Sequence, residues 1–547
     1  MLFHPTFVII FFVSILLITN KNSKIFKFIA LLGPVASSIF LILAQGEYSY
    51  ELYNLKLVWE FDDYSKLLGL AFLIVLLVSN AYALGQKKYY ELILGSAYCA
   101  SIFISLLAKD FISMFAGLEI MMVMSSIIIF IGTHQNSINI AKRYFLTHLV
   151  SSNMILIGIA HIISKNNSSE IIIVTNLLGN PEYSNIIIYT MFLGMIINVA
   201  AFPFSGWVVN YYKGASASGS LYLINFTTKL SIILLIKVFA GFEPLKYIAL
   251  MMVLYAGFKA LYEDNIFALL CYLSIISMGV MVLAIASGDK YTLLAVFCYL
   301  FIHIIYKSLL SIASATLRDT IGITLCSELG RLKNKILLTS ISIGISLMIS
   351  LPFALSFFSK IEISRLFSGS VFYIVILLAS VSSIVTLPWK ECLKSAKIIE
   401  LKLNFYTKLS LVLITITAGV VGFIGFFFMP ITSDLSSIYE SNSYLYEILK
   451  QLGIFGISTI IIINLKLKRK EAKALNILEE IGRGFSYLYK YWAREGNEKL
   501  VNEKWRLDVL EEQIINRLSI FHNQQTAIFV VVSLLIVMLV TLIISSY

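Results

Sequence analysis

Five ionisable residues stand inside long apolar runs of this chain, where a charge has no water to solvate it: Glu119, Lys229, His303, Lys307 and Lys360. On insertion scales each costs at least ~2.5 kcal/mol at bilayer depth, so each must be compensated or put to use. Glu119 sits within FISMFAGLEIMMVMSSIIIF, and Lys229 lies midway along GSLYLINFTTKLSIILLIKV, with Asn225 one turn before it and Lys237 two turns after. His303 and Lys307, in YLFIHIIYKSLL, are four apart and therefore share one helix face. Lys360 follows the proline-interrupted run ISLMISLPFALSFFSKIEI. Buried titratable groups in series suit the passage of a proton or a small cation.

Plainer roles compete with that chemistry. A lysine near the end of a run reaches the headgroups with its ammonium, which would account for Lys237 and extends to Lys360. A lone histidine on an apolar face also serves as hydrogen-bonded packing. Glu119 and Lys229 lie too deep for either explanation. Pro203 in INVAAFPFSGW and Pro352 in MISLPFALSFFSK each remove a backbone hydrogen bond at depth. Such breaks are tolerated where the freed carbonyls find protein partners or line a hydrated cavity. Paired breaks in two halves of a chain point to a site between repeats, whereas a simple kink is the alternative.

Cofactor chemistry has no support in the sequence. Cys99, Cys271, Cys298, Cys326 and Cys392 are scattered without C-x-x-C or Cys/His spacing, so neither a disulfide framework nor a metal or iron–sulfur site is expected. Neither G-x-G-x-x-G nor G-x-x-x-x-G-K-[ST] occurs, and no bound nucleotide is expected.

The elements that must position these residues are membrane spans. Of 547 residues 59% are hydrophobic and 13% charged, with mean hydropathy +0.87, which no soluble core requires. A spanning helix takes roughly 20 apolar residues, and about sixteen runs qualify. They lie near 5–19, 26–44, 67–86, 90–108, 111–132, 144–164, 186–207, 217–239, 246–262, 265–287, 291–316, 338–358, 371–388, 407–429, 447–467 and 527–545. The first lacks a basic start and a small-residue cleavage site and is expected to be retained as a span. Lysine and arginine gather after odd-numbered spans (Lys21 and Lys24, Lys87 and Lys88, Lys142 and Arg143), which places those loops in the cytoplasm and the N-terminus outside. The net charge of +11 follows from this asymmetry and from anionic lipid, with no nucleic-acid partner implied.

Residues 468–525 form a charged stretch between two spans. Leu475, Leu478, Ile481, Phe485, Leu488 and Trp492 step by three and four along one helix face, and after Gly496-Asn497 the pattern resumes through Leu507, Leu510, Ile514, Leu518 and Phe521. An amphipathic cytoplasmic helix is expected there, lying on the membrane surface or bracing neighbouring helices, and reaching about 85 Å if continuous.

In order along the chain, DFISMFAGLEIMM, AAFPFSGWVVNYYKGASASGSLYLINFTTKLSIILLIK, LLCYLSIISMG, HIIYKSLL and SLPFALSFFSK resemble the motifs of a known family over roughly residues 60–390. That family is the antiporter-like membrane subunits of Mrp-type cation/proton antiporters, NADH:quinone oxidoreductase and membrane-bound hydrogenases. The resemblance implies an all-α polytopic fold of about 14 core helices, with two inverted five-helix repeats that contain broken helices at Pro203 and Pro352. It maps the family's essential Glu to Glu119, its second buried Lys to Lys229, the H-x-x-x-K pair to His303 and Lys307, and the terminal ionisable residue of the second broken helix to Lys360. The family's central Lys falls on Asn198, which cannot bind and release a proton at neutral pH. Its Trp-Leu-Pro-Asp-Ala-His stretch has become WVVNYY, and its Lys-Arg before the AYSSIS-type helix is Phe267-Ala268. With Asn198 in that place, Glu119 is expected to pair with Lys229, directly or through water.

The implied organisation is residues 1–110 as N-terminal spans, 111–240 and 241–390 as the two repeats, 391–467 as peripheral spans, 468–525 as the amphipathic segment and 526–547 as a C-terminal anchor. The resemblance implies a bacterial inner-membrane protein that works with other membrane subunits, moves protons, with Na+ or K+ as candidate further ions, and has neither a cofactor nor a catalytic centre of its own. The degenerate Trp-Leu-Pro stretch favours a membrane subunit of a multisubunit monovalent cation/proton antiporter of the Mrp type. The alternative is a proton-translocating subunit of an NADH:quinone oxidoreductase or related redox complex, and below it stands a diverged scaffold that no longer conducts.

Overall fold

The computed structural model describes residues 4–52, 55–388, 398–423, 441–464 and 469. All of them belong to the first of the two units, 1–476 and 477–547, into which the chain divides. The expected anchor 526–547 and all of the amphipathic segment 468–525 except Arg469 lie outside the described residues.

The described chain is a helical membrane bundle. Ten of its helices are long and apolar enough to cross a bilayer, and Pro5–Ile18, Asn185–Asn198, Lys335–Met348 and Tyr373–Val385 are shorter apolar helices. Their arrangement sorts by burial. The most apolar windows of α12 (Ile266–Ile285) and α13 (Lys290–Ile321) are 89% buried, against 33% for α2 (Lys24–Leu43) and α17 (Phe405–Phe423). The first pair forms the centre, while the second has an exposed apolar face that carries residues such as Phe28, Ile39, Ile416 and Val420. Between α1 (Pro5–Ile18) with α2 and the centre stand α3 (Asp63–Gly85) and α4 (Tyr89–Leu106).

Two expected spans are split. The run at 186–207 ends as α7 (Asn185–Asn198) and resumes as the short α8 (Gly206–Tyr211), and the run at 338–358 divides into α14 (Lys335–Met348) and α15 (Leu355–Leu366). The two breaks are built alike. Ala200 (φ +59°) and Ser350 (φ +57°) take the left-handed conformation just past α7 and α14. The next N–H, of Ala201 or Leu351, reaches back to Ile196 O or Ser346 O, while Ala200 and Ser350 donate to Ile197 O and Leu347 O. This is the Schellman termination, here without the glycine that usually accepts the left-handed geometry. Each break then receives a side chain from the helix that follows: Trp207 Nε1 donates to Ile197 O at 2.8 Å and Ser356 Oγ to Leu347 O at 2.6 Å. Backbone groups freed at membrane depth thereby find protein partners.

A third discontinuity interrupts the run at 217–239. Phe226 leaves helical geometry between α9 (Ala217–Asn225) and α10 (Thr227–Phe239), and Tyr98 Oη accepts the Thr227 N–H at 3.1 Å. The acidic loop after α2 is a hairpin, β1 (Glu47–Leu52) antiparallel to β2 (Leu55–Glu60). It closes over the loop between α4 and α5 (Phe111–Phe130): Asp110 Oδ2 accepts the Val58 N–H at 2.7 Å, and Lys109 pairs with Glu47 and, at 3.7 Å, with Glu60. The remaining described elements are α6 (Ser137–Asn166), α11 (Leu245–Tyr262), α16 (Tyr373–Val385), α18 (Ser441–Asn464) and the paired β3 (Arg331–Leu332) and β4 (Ile398–Ile399).

Candidate functional site

Lys229 stands on the first turn of α10, fully buried, because the break at Phe226 turns its side chain inward to the carbonyls that the break exposes. Its Nζ donates to Ile224 O at 2.5 Å, and to Thr228 Oγ1 and Ser274 Oγ at 3.2 Å each. Ser274 on α12 is the junction, since its Oγ is also 3.1 Å from His303 Nε2 on α13. His303 Nδ1 then lies 2.7 Å from Tyr306 Oη, which is 3.2 Å from Ser277 Oγ, and Ser277 donates to Leu273 O.

One set of donor directions satisfies the whole series. Lys229 donates to Ser274, Ser274 to His303 Nε2, His303 Nδ1–H to Tyr306, Tyr306 to Ser277, and Ser277 to the carbonyl of Leu273. Every hydroxyl in it accepts one hydrogen bond and donates one. Lys307, fully buried one turn beyond His303, places its Nζ on Leu270 O of α12. Lys360, 7% exposed on α15, holds its Nζ 5.7 Å from the centre of the Tyr299 ring on α13. Lys229, His303 and Lys307 are thus drawn together around α12, and Lys360 approaches them through Tyr299.

Lys237 plays another part. Its Nζ donates to Leu106 O at 2.7 Å and Ala108 O at 2.8 Å, satisfying the carbonyls at the C-terminal end of α4.

Glu119 stands on α5, and the hydrogen-bond partners of Lys229 among the described residues include no carboxylate, so of the pairing expected directly or through water the direct contact is absent among them. The Glu119 carboxyl is 4% exposed, neighbours the Ser152 hydroxyl of α6, and leaves Oε1 without a hydrogen-bond partner among the described residues. Asn198 is the last residue of α7, and its Oδ1 is 2.8 Å from His148 Nδ1. His148 is buried on α6, with its ring 4.4 Å from Tyr144 and 4.5 Å from Trp207 between centroids. Nearer Lys229, Tyr98 Oη bonds the hydroxyl of Thr227, two residues before the lysine, while Tyr144 Oη donates to Ser125 Oγ at 2.9 Å.

His148, Ser274 and Tyr306 are site residues that the sequence reading passed over. The spacing of Tyr306 three residues after His303 was the one signal available for it. Among the described residues no cluster of three or more His, Cys, Asp or Glu side chains suited to a metal occurs.

Broken helices around a buried polar series define an integral membrane bundle of the antiporter-like class. Residues 108–386, half of the chain, match the family described as NADH:quinone oxidoreductase/Mrp antiporter, TM, and the chain belongs to that family. NADH-quinone oxidoreductase subunit N 2 of Solibacter usitatus is 27% identical over 230 residues, covering 40% of this chain and 46% of that protein. The chain spans about half the length of the first curated relatives it matches. In fold it resembles a subunit of the membrane-bound sulfane sulfur reductase, an archaeal respiratory membrane complex, with TM-score 0.69 and 16% identity over 82% of this chain and 99% of that one. The Mrp complex from Dietzia sp. gives TM-score 0.65 and 15% identity over 82% of this chain and 95% of that one.

Proposed function

We propose that this chain is the proton-translocating membrane subunit of a multisubunit complex, and that protons pass through Glu119, Lys229, His303, Lys307 and Lys360. The observation that carries the proposal is the uninterrupted series from Lys229 through Ser274 to His303, at 3.2 and 3.1 Å. A hydroxyl that accepts from an ammonium and donates to an imidazole passes a proton by exchanging its two O–H partners, with no movement of heavy atoms beyond a rotation. The Lys229 N–H bond lengthens and breaks, Ser274 gives up its own proton to Nε2, and one positive charge has moved from α10 to α13. Lys307 and Lys360, both basic, then set the electrostatic cost of that charge by their own protonation, which couples one transfer to the next.

The names of the curated relatives favour a redox-driven complex related to NADH:quinone oxidoreductase over the cation/proton antiporter expected from the WVVNYY stretch. The antiporter is the second reading, favoured by the shared fold with the Mrp complex. Either role puts the chain beside other membrane subunits. The basic loops point to an N-terminus outside and to the loops after odd-numbered spans inside a bacterial inner membrane.

The assembled complex in sealed vesicles tests this. Proton uptake driven by NADH and quinone selects the first reading, and uptake driven by an imposed sodium or potassium gradient selects the second. Glu119→Ala and Lys229→Ala abolish uptake under whichever drive is active. Uptake that survives both variants contradicts the proposed path.

A further inference from the structure

Two buried atoms on the packed helices α5 and α6 have nothing to bond to: Oε1 of Glu119 and Nε2 of His148 have no hydrogen-bond partner among the described residues. Each residue is 4% exposed, and a polar group buried without a partner is costly. The two belong to facing elements. Ser152, the neighbour of the Glu119 carboxyl, follows His148 by one turn on the same face of α6, and α5 packs directly on α6.

The chemistry of the two atoms is complementary. Asn198 Oδ1, 2.8 Å from Nδ1, accepts the Nδ1–H and so fixes the tautomer in which Nε2 carries a bare lone pair. A carboxyl offers the proton that lone pair lacks. Resting on the proton-translocating role proposed above, we propose that His148 is the proton-exchanging partner of Glu119, directly or across one water, and that Asn198 is the residue that positions its ring. In the transfer the O–H bond of Glu119 breaks and an N–H bond forms at Nε2, converting a neutral carboxyl and imidazole into a carboxylate and an imidazolium with no change of net charge. His148 thereby gives α6 the ionisable group that Asn198 cannot supply on α7.

The surroundings keep the exchange between these two. Tyr144 from α6 and Trp207 from α8 cover the ring, and Tyr212 lies edge-on to Trp207 and tilted against Tyr144. Arg143 and Lys213 adjoin Tyr144 and Tyr212 in sequence, and Glu119 is the carboxylate that α5, α6, α7 and α8 bring to this place among the described residues.

Infrared difference spectroscopy of the purified assembled complex, recorded across a pH series, tests the pairing without requiring transport. The carbonyl band of protonated Glu119 is identified by its loss in Glu119→Gln. The expected result is that His148→Leu moves the midpoint of that band by about one pH unit or more, that His148→Gln, which keeps a polar side chain but cannot ionise, does the same, and that Asn198→Leu moves it in the same direction by less. A midpoint unchanged in both His148 variants overturns the pairing. In vesicles His148→Gln is expected to lower proton uptake at least tenfold, and uptake equal to wild type also overturns it. If the unaltered complex moves no protons while the band still responds to His148, the translocation reading fails and the pairing stands.

Discussion

Lys229 and His303 share one hydroxyl: Ser274 Oγ lies 3.2 Å from the ammonium of the first and 3.1 Å from Nε2 of the second. The three residues come from α10, α12 and α13, so the arrangement depends on the packing of the most deeply buried helices of the bundle. The break at Phe226 is what brings Lys229 to this point, because it exposes the Ile224 carbonyl that holds the ammonium from the other side.

Lys229→Met separates transport from stability. Removing the buried charge relieves its desolvation cost, while the Ile224 carbonyl and the Ser274 hydroxyl lose a donor, at roughly 1–3 kcal/mol for a buried group left unsatisfied. The variant is therefore expected to assemble with a melting temperature close to that of the unaltered complex while proton uptake is lost. A fall in melting temperature together with uptake would assign Lys229 a structural role.

Gly117 sets the distance between α4 and α5 close to Glu119. A Cβ there would stand 2.3 Å from Ser105 Oγ and 2.8 Å from both Ser101 O and Ser105 N, and backbone atoms cannot yield as a side-chain tip would. Gly117→Ala is expected to force the helices apart at a cost of about 1–3 kcal/mol and to displace the carboxyl two residues on. Thermal unfolding of the complex and the Glu119 infrared band measure the two effects.

Outside the spans, Lys333 and Glu400 pair beside the β3–β4 contact, and Lys333 N–H donates to Ile399 O at 3.0 Å. The hydrogen bond and charge of Lys333 hold the Glu400 carboxyl below its usual value. A carboxyl lowered on folding contributes stability that is present above its unfolded value, about 4.3, and is lost as pH falls through the folded one. The protection of the Lys333 amide, corrected for intrinsic exchange, is expected to fall modestly as pH drops through that range in the unaltered chain and to be independent of pH there in Glu400→Gln.

The residues most legible in the sequence were those whose type is rare in its surroundings. Glu119, Lys229, His303 and Lys307 stand out because a charge in an apolar run demands a reason. Ser274 and Tyr306 do not, since serine and tyrosine are common in these spans and their hydroxyls satisfy their own helix as readily as a neighbour. His148 lies near the start of the expected run 144–164, close behind Lys142 and Arg143, where a histidine is unremarkable; the fold shows that α6 starts earlier, at Ser137, and carries it into the core. The prolines mark both broken helices, yet the left-handed residues that end α7 and α14 are Ala200 and Ser350, where no glycine signals the turn. The hairpin 47–60 reads as a loop because its strands carry acidic residues at Glu47, Glu51 and Glu60. Its pairing to the α4–α5 loop is a tertiary contact.

The central claim is that a proton crosses from Lys229 to His303 through the Ser274 hydroxyl. The most direct test is proton uptake by vesicles containing the assembled complex with Ser274→Ala and Ser274→Thr. Ser274→Thr keeps the hydroxyl and is expected to retain uptake within a few-fold of the unaltered complex. Ser274→Ala removes the shared atom and is expected to slow uptake by about 10²-fold or more, the scale of a lost proton-transfer group. Uptake at the unaltered rate in a stably assembled Ser274→Ala complex would contradict the account.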